Sequence, residues 1–405
     1  MKSSFWKETE KHQHSHDYSW GTKHQFFLCI LFLGLSSMET NRASAQTFTT
    51  LHSFTATTQK ADGSFTNRDG AGPDTSLVLS GNTLYGTTYF AGTNGRGTAF
   101  AVGTDGSGFT ALHSFSTGPQ VNLFEVINSD GANPSGGLLL SDNTLYGTAF
   151  FGGTNGTGTV FAFNTDGTGF RVLHSFSLRP LGTNTDGANP SADFVLSGNT
   201  LYGTCYQGGT NNSGTVFALK TDGTAFRVLH TFPAYSATPD YTNSDGGGLF
   251  SGLVLSGNTL YGAANSGGSL GNGTLFALHT DGTSFTTVHS FTGGTDGDRP
   301  EAGLSLSGNT LYGATYWGGI YRRGNVFSIS VPPQLTIIPA ATNLILSWPT
   351  NYAGFDYSGY ILQSTTNLSS SAVWTTNAPA PVVVNGQFTV TNPIWGTPQY
   401  FRLAQ

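Results

Sequence analysis

Five copies of Leu-Tyr-Gly begin at Leu84, Leu145, Leu201, Leu260 and Leu311, at intervals of 61, 56, 59 and 51 residues. Repeats of this size point to propellers or other repeat arrays. Inside the unit the spacing does not vary. From each Leu to the Phe of the next apolar segment (Phe100, Phe161, Phe217, Phe276, Phe327) is 16 residues, and to the Asp of an Asp-Gly pair (Asp105, Asp166, Asp222, Asp281) it is 21. The first residue of the closing L/V-H-S/T-F motif (Leu112, Leu173, Leu229, Val288) always lies 28 residues on. All length variation therefore falls between that motif and the next Leu-Tyr-Gly, which defines one rigid unit and one elastic connection.

The rigid unit reads as four short strands. In the first copy strand A is Ser76 to Ser80, and Gly81-Asn82 turns the chain into strand B, TLYGTTYF. A Gly-rich loop leads to strand C, TAFAV, and Asp105-Gly106 turns it into strand D, FTALHSF. Gly-Asn and Asp-Gly accept the positive φ angles of tight hairpins. A four-stranded antiparallel sheet repeated radially is a propeller blade. The fifth copy breaks off: 21 residues after Leu311 stands Pro332, followed by Pro333, and no strand D comes after. The segment from Phe48 to Phe54, FTTLHSF, is a strand D with no blade before it. These complementary fragments predict an all-β fold, a five-bladed β-propeller closed by the N-terminal strand and free of sheet edges. An open solenoid is the alternative, disfavoured because solenoids cap their ends with atypical repeats rather than matching fragments.

The sequence on either side differs in kind. Residues Phe26 to Leu35 form an apolar run after Lys23, and Ala43-Ser44-Ala45 follows, so residues 1–45 read as a secretory signal peptide. The run is too short for a stable transmembrane anchor. Cleavage would leave Cys205 as the one thiol, so no internal disulfide is expected. Residues 46–331 make the propeller. After Pro332-Pro333, residues 332–405 alternate apolar and polar residues in short runs and read as a small β-sandwich resembling fibronectin type III, with Trp348 and Tyr360 as core aromatics.

The stretch DGANPSGGLLLSDNTLYGTAFFGGTNGTGTVFAFNTDGTGFRVLHSF, Asp130 to Phe176, resembles the GloVer tandem repeat of secreted bacterial proteins. The resemblance covers roughly residues 46–330. It implies an extracellular or cell-envelope location and brings with it neither a reaction nor catalytic residues.

The chain carries 16 Lys and Arg against 22 Asp and Glu, a net charge of −6, and its one adjacent basic pair is Arg322-Arg323. Phosphate binding needs clustered positive charge, so a nucleic-acid partner is not expected. The five motif histidines (His52, His113, His174, His230, His289) lie on rim strands spread around the ring, too dispersed to share a metal, and are expected to be hydrogen-bonded packing residues. The aspartates of the elastic segments, Asp69, Asp130, Asp186, Asp245 and Asp296, are the positions that could serve a weak calcium site, the one cofactor considered. The Asp-Gly aspartates are turn residues.

Chemistry on a repeating scaffold calls for residues that break the repeat. Asp193, Asp298 and Glu301 are carboxylates outside the template, and paired carboxylates serve glycoside hydrolysis. No H-E-x-x-H motif accompanies them. Aromatics just before the Gly-rich loops, Tyr89, Phe90, Phe151, Tyr206, Tyr316 and Trp317, together with Arg322, share the loop face with the elastic segments. Flat aromatics among Asn, Thr and Gly suit sugar stacking or protein contact. Repeat 5 departs furthest from the template and is the preferred position. The expected function is thus a secreted, non-enzymatic binding or surface-display protein, a monomer without a transmembrane anchor, whose partner is an extracellular glycan or an envelope protein. A glycan-acting hydrolase or lyase and a purely structural or sorting protein are the alternatives.

Overall fold

A computed structural model describes residues 48–405 apart from 62, 121–125, 180–181, 192, 237–240, 331–332, 334, 353–354, 370–371, 377–378, 395–398 and 405. The signal-peptide expectation for residues 1–45 lies outside the described residues. The strands that are described pair antiparallel and no helix occurs among them, so the chain is all-β.

Each Leu-Tyr-Gly unit forms its own sheet. Strand B is Thr83–Thr88, Thr144–Phe151, Thr200–Gln207, Thr259–Ala264 and Thr310–Thr315 in repeats 1 to 5. Strand C is Thr98–Gly103, Thr159–Asn164, Thr215–Lys220, Thr274–His279 and Asn325–Ser330. Strand A pairs with B on one side, and in repeats 1 to 4 strand D pairs with C on the other, giving the order A-B-C-D.

The constant 16-residue offset has a steric cause. The register sets Gly147 of strand B opposite Phe161 of strand C, and a Cβ on Gly147 would lie 2.5 Å from the Phe161 ring. The same position in the other repeats gives 2.7 Å (Gly86 to Phe100), 2.7 Å (Gly203 to Phe217), 2.4 Å (Gly262 to Phe276) and 2.5 Å (Gly313 to Phe327). Only a residue without a side chain lets the ring lie flat across its own sheet, from where it fills the space between repeats.

Successive sheets pack face to face. Tyr146, Val160 and Ala162 of repeat 2 meet Phe194, Leu201 and Phe217 of repeat 3 in one buried cluster. Equivalent residues build the other junctions. Strand D adds Phe115, Phe176, Phe232 and Phe291, all buried, at the rim of each junction.

The expected N-terminal clasp is not formed. The repeat 5 sheet has three strands, and residues 50–54 belong to no sheet. Those residues lie on repeat 1 instead. His52 stacks on Phe109 at 3.6 Å, as His113 stacks on Phe170 and His174 on Phe226 at 3.7 Å. The segment keeps the side-chain contacts that a rim motif makes to the following repeat, without the strand C it lacks. Among the described residues the repeat 5 sheet therefore ends at strand C, and the expected pairing with the N-terminal strand is not seen.

Beyond Pro333 the chain forms a four-stranded sheet (Thr336–Ala340, Asn343–Pro349, Gln387–Pro393, Val382–Val384) and a three-stranded one (Thr375–Thr376, Ile361–Thr365, Tyr400–Ala404). Leu346, Trp348 and Val390 of the first sheet share a buried cluster with Leu362 of the second and with Tyr357. Tyr357 is the fully buried tyrosine here, and Tyr360 is half-buried against it at 5.7 Å.

The Leu-Tyr-Gly geometry yields a direct test. Gly147→Ala places a methyl group against a buried ring and should cost about 1–3 kcal/mol, read as a lower urea midpoint. Gly303→Ala, at a glycine of ordinary φ with nothing within 4 Å of the added Cβ, serves as its comparison without a facing ring. A loss for Gly147→Ala no larger than for Gly303→Ala would refute the steric account.

Candidate functional site

The loop face is assembled by two side chains that recur in each elastic segment. An Asn two residues before the Asp, namely Asn67, Asn128, Asn184 or Asn243, donates to two backbone carbonyls of its own segment. Its Oδ1 accepts from the amide N–H at the second position of the Gly-rich loop: Gly92, Gly153, Gly209 or Gly268. The Asp accepts from the rim histidine: His52 to Asp69 at 3.1 Å, His113 to Asp130 at 2.9 Å, His174 to Asp186 at 3.1 Å, His230 to Asp245 at 2.9 Å and His289 to Asp296 at 3.0 Å. These contacts close loops whose His-to-Asp separation ranges from 17 residues down to 7. The N-x-D-G signature is visible in the sequence of repeats 1 to 4, and its role emerges only with the loop glycine that it binds.

The aspartate oxygens are thereby occupied. Asp130 also accepts from the amide and hydroxyl of Ser116, and Asp186 from those of Ser177. The Asp-Gly aspartates cap their own turns, each Oδ1 accepting from the amide and hydroxyl of the residue two positions on. Among the described residues no three His, Cys, Asp or Glu side chains cluster as a metal site.

Between the loops of repeats 1 and 2 lies a cavity of about 410 Å³. Tyr89, Phe90 and Phe151, three of the aromatics singled out from sequence, line it together with Phe65, Arg96 and Asn133. Phe90 is exposed and packs edge-on against half-buried Tyr89 at 4.6 Å. The short hairpin of Thr58–Gln59 and Phe65–Thr66 brings Phe65 to the cavity. Asn133, with φ of +56°, donates its amide N–H to the Arg96 carbonyl at 2.8 Å and its side-chain NH2 to the Tyr89 carbonyl at 2.9 Å. Burial, then the nearby Asp74 charge, raises the pKa of the Tyr89 hydroxyl, which stays a neutral donor or acceptor. Arg96 had not been singled out. Its signal was present, since Thr157, Ser213 and Asn272 stand at that place in repeats 2 to 4.

The other expected binding residues lie apart. Tyr206 stacks on Phe250 at 4.1 Å. Tyr316 and Trp317 form an edge-on pair at 5.0 Å on repeat 5, both exposed. Arg322 sits in the following turn at φ of +54°, also exposed. A second cavity, of about 400 Å³, is lined by Tyr235, Tyr241, Ser266, Asn272 and Arg299, none of them anticipated.

The three candidate catalytic carboxylates have separate surroundings. Asp193 accepts from the Gly137 amide at 2.5 Å and the Ser76 hydroxyl at 3.2 Å, joining the starts of strand A in three repeats. The Asp298 backbone bridges that of Trp317, and burial raises the pKa of its carboxyl. Glu301 is exposed.

An all-β array of face-packed repeats with aromatic clefts at its loops defines the class as a β-repeat protein. Residues 118–327 match the model of the Gloeobacter/Verrucomicrobia repeat, and the chain belongs to that family. No curated protein matches it. Among solved structures it is similar to TolB from Acinetobacter baumannii (13% identity, TM-score 0.34, covering 66% of this chain and 49% of that one). It is similar also to a putative 6-phosphogluconolactonase from Bacteroides uniformis (14%, TM-score 0.39, 85% and 92%). An oligogalacturonate lyase in complex with manganese matches at 13% identity and TM-score 0.35, over 62% of each chain. The chain thus spans about half the length of the Acinetobacter protein.

The His-Asp contacts predict acid sensitivity. Burial by itself would raise the pKa of Asp130 and Asp186, but hydrogen bonds from His113 and His174 and from Ser116 and Ser177 outweigh it and hold both carboxyls below the ordinary 3.8. A carboxyl with a depressed folded value stabilises above its unfolded value, and that stability is lost as pH falls through the folded one. For His230, burial lowers the pKa from 6.5 despite Asp245, so its contribution is complete above 6.5 and declines as pH falls below that. The urea midpoint should therefore drop as the medium is acidified below 6.5 and again below 3.8. Asp130→Asn should lower the midpoint at pH 7 and lose less than the parent on going to pH 3; an equal loss in both would show that the contact carries no pH dependence.

Proposed function

We propose that the chain is an exported, non-enzymatic binding protein that holds an extracellular carbohydrate in the cleft between repeats 1 and 2, with Phe90 as its stacking surface. The observation that carries this reading is the convergence of Tyr89, Phe90, Phe151 and Phe65 with Arg96 and Asn133 in one cavity of about 410 Å³. An apolar ring face covers the C–H face of a sugar, while polar groups at the edge order its hydroxyls. The Asn and Asp contacts behind the loops hold this surface in place before ligand arrives, which reduces the ordering cost of binding. Export rests on the sequence of residues 1–45. The five repeats are read as propeller-type blades whose first and last members are left unpaired within one chain, and residues 332–405 as a fibronectin-like sandwich serving attachment. No described helix is long and apolar enough to cross a membrane.

The hydrolase alternative draws no support from Asp193, whose oxygens are engaged by Gly137 and Ser76. Titration calorimetry against a panel of oligosaccharides tests the proposal. Phe90→Ala, at an exposed side chain, should weaken the best binder by about tenfold or more while the urea midpoint stays unchanged, in line with about 1–3 kcal/mol for ring stacking. An unaltered affinity, or a loss with Trp317→Ala alone, would move the site away from this cleft.

A further inference from the structure

The two ends of the array carry the two halves of the junction that is built four times inside it. Each internal junction joins a trailing face, centred on the strand B tyrosine and the second residue of strand C, to a leading face of Leu and Phe on the next sheet. Tyr85, Tyr146, Tyr202 and Tyr261 are all buried on trailing faces, and their repeat 5 counterpart Tyr312 is 43% exposed. Ala99, Val160, Val216 and Leu275 are fully buried, and the counterpart Val326 is 83% exposed. At the other end, Leu138, Phe194, Leu253 and Leu304 are buried on leading faces, whereas Leu77 of repeat 1 is 52% exposed.

The rim of the missing junction is already in place. Residues 51–54 sit on repeat 1 as a strand D sits on its follower: a Cβ on Gly106 would lie 2.8 Å from the Leu51 carbonyl, and Phe54 packs on Phe100 at 5.5 Å. What the segment lacks is a strand C beside it, and strand C of repeat 5 lacks a strand D. Unpaired sheet edges of this kind recruit other chains.

We propose that this protein associates head to tail, the open trailing face of repeat 5 docking on repeat 1 of a second copy, whose residues 50–54 become the fourth strand of the repeat 5 sheet. The occupant follows from continuity with the internal junctions, since a leading face with this rim exists elsewhere only at sites already filled. The register follows as well: Val160 pairs with His174 and Thr159 with Ser175, so Val326 faces the second copy's His52 and Asn325 its Ser53. A contact between two different faces propagates as a ring or filament rather than a simple twofold pair.

Sedimentation of the purified protein should show a weight-average mass that rises above the monomer with concentration. Val326→Glu and Leu77→Glu, at side chains exposed in the single chain, should each hold it at monomer mass with unchanged circular dichroism and melting temperature. Oxidising a mixture of separately purified Asn325→Cys and Ser53→Cys chains should yield a disulfide-linked heterodimer. A monomer at every concentration would overturn the proposal. So would a link that forms only within the doubly substituted chain, because it would show that one copy closes on itself.

Discussion

The stacking of four rim histidines, His52, His113, His174 and His230, on an aromatic ring of the next repeat is the contact on which the architecture turns. His174 lies parallel to Phe226 at 3.7 Å, meets Phe176 edge-on at 4.7 Å and reaches Asp186 with Nε2. One imidazole thus touches its own repeat, the following repeat and the elastic segment between them. Its apolar faces suit the aromatic junction, and its ring nitrogen satisfies a carboxylate that would otherwise be expensive to cover. Because the aspartate is held from the far side, the connection behind it can be long or short without shifting the sheets. This explains how an invariant unit tolerates intervals of 51 to 61 residues.

The fold was legible where side-chain chemistry acts locally. Offsets of 16, 21 and 28 residues located strands B, C and D because a glycine must face a ring, an aspartate must cap a turn and a histidine must reach the next sheet. Closure was not legible for the same reason. The FTTLHSF segment announces itself as a strand D, but the His stacking and His–Asp contacts of a strand D point forward to the next repeat, and repeat 1 satisfies those. The pairing with strand C is backbone hydrogen bonding, which carries no sequence label. The sequence therefore said what the fragment is without saying which edge it joins. Tyr357 and Tyr360 make a similar point: both lie in a segment of turns, and alternation does not decide which one turns inward.

The site was legible in part. Aromatics ahead of the Gly-rich loops in repeats 1, 2, 3 and 5 marked the loop face, and three of them share a cleft. Repeat 5 seemed the best position because it departs furthest from the template, yet departure there accompanies an exposed surface rather than a concave one. Concavity came from residues outside the template: Phe65, in an extra hairpin beyond the rigid unit, and Arg96, within it at a place held by small polar residues in repeats 2 to 4.

On the proposed reading, stability and recognition fall to different atoms of the same loops. The Asn carboxamide and the loop glycines fix the backbone, using groups that recur in repeats 1 to 4. The side chains that project from it, Tyr89-Phe90, Phe150-Phe151, Tyr206-Gln207 and Asn265-Ser266, owe little to that framework. Two of the clefts between neighbouring loops, one walled by Phe90 and Arg96 and the other by Tyr241 and Arg299, combine aromatic and cationic groups in unrelated sequence contexts. A backbone held by invariant polar contacts allows such surfaces to differ from repeat to repeat at small cost to folding. The glycine content that at first suggests a loosely ordered chain is on this account what lets the framework sit close enough to itself to be fixed.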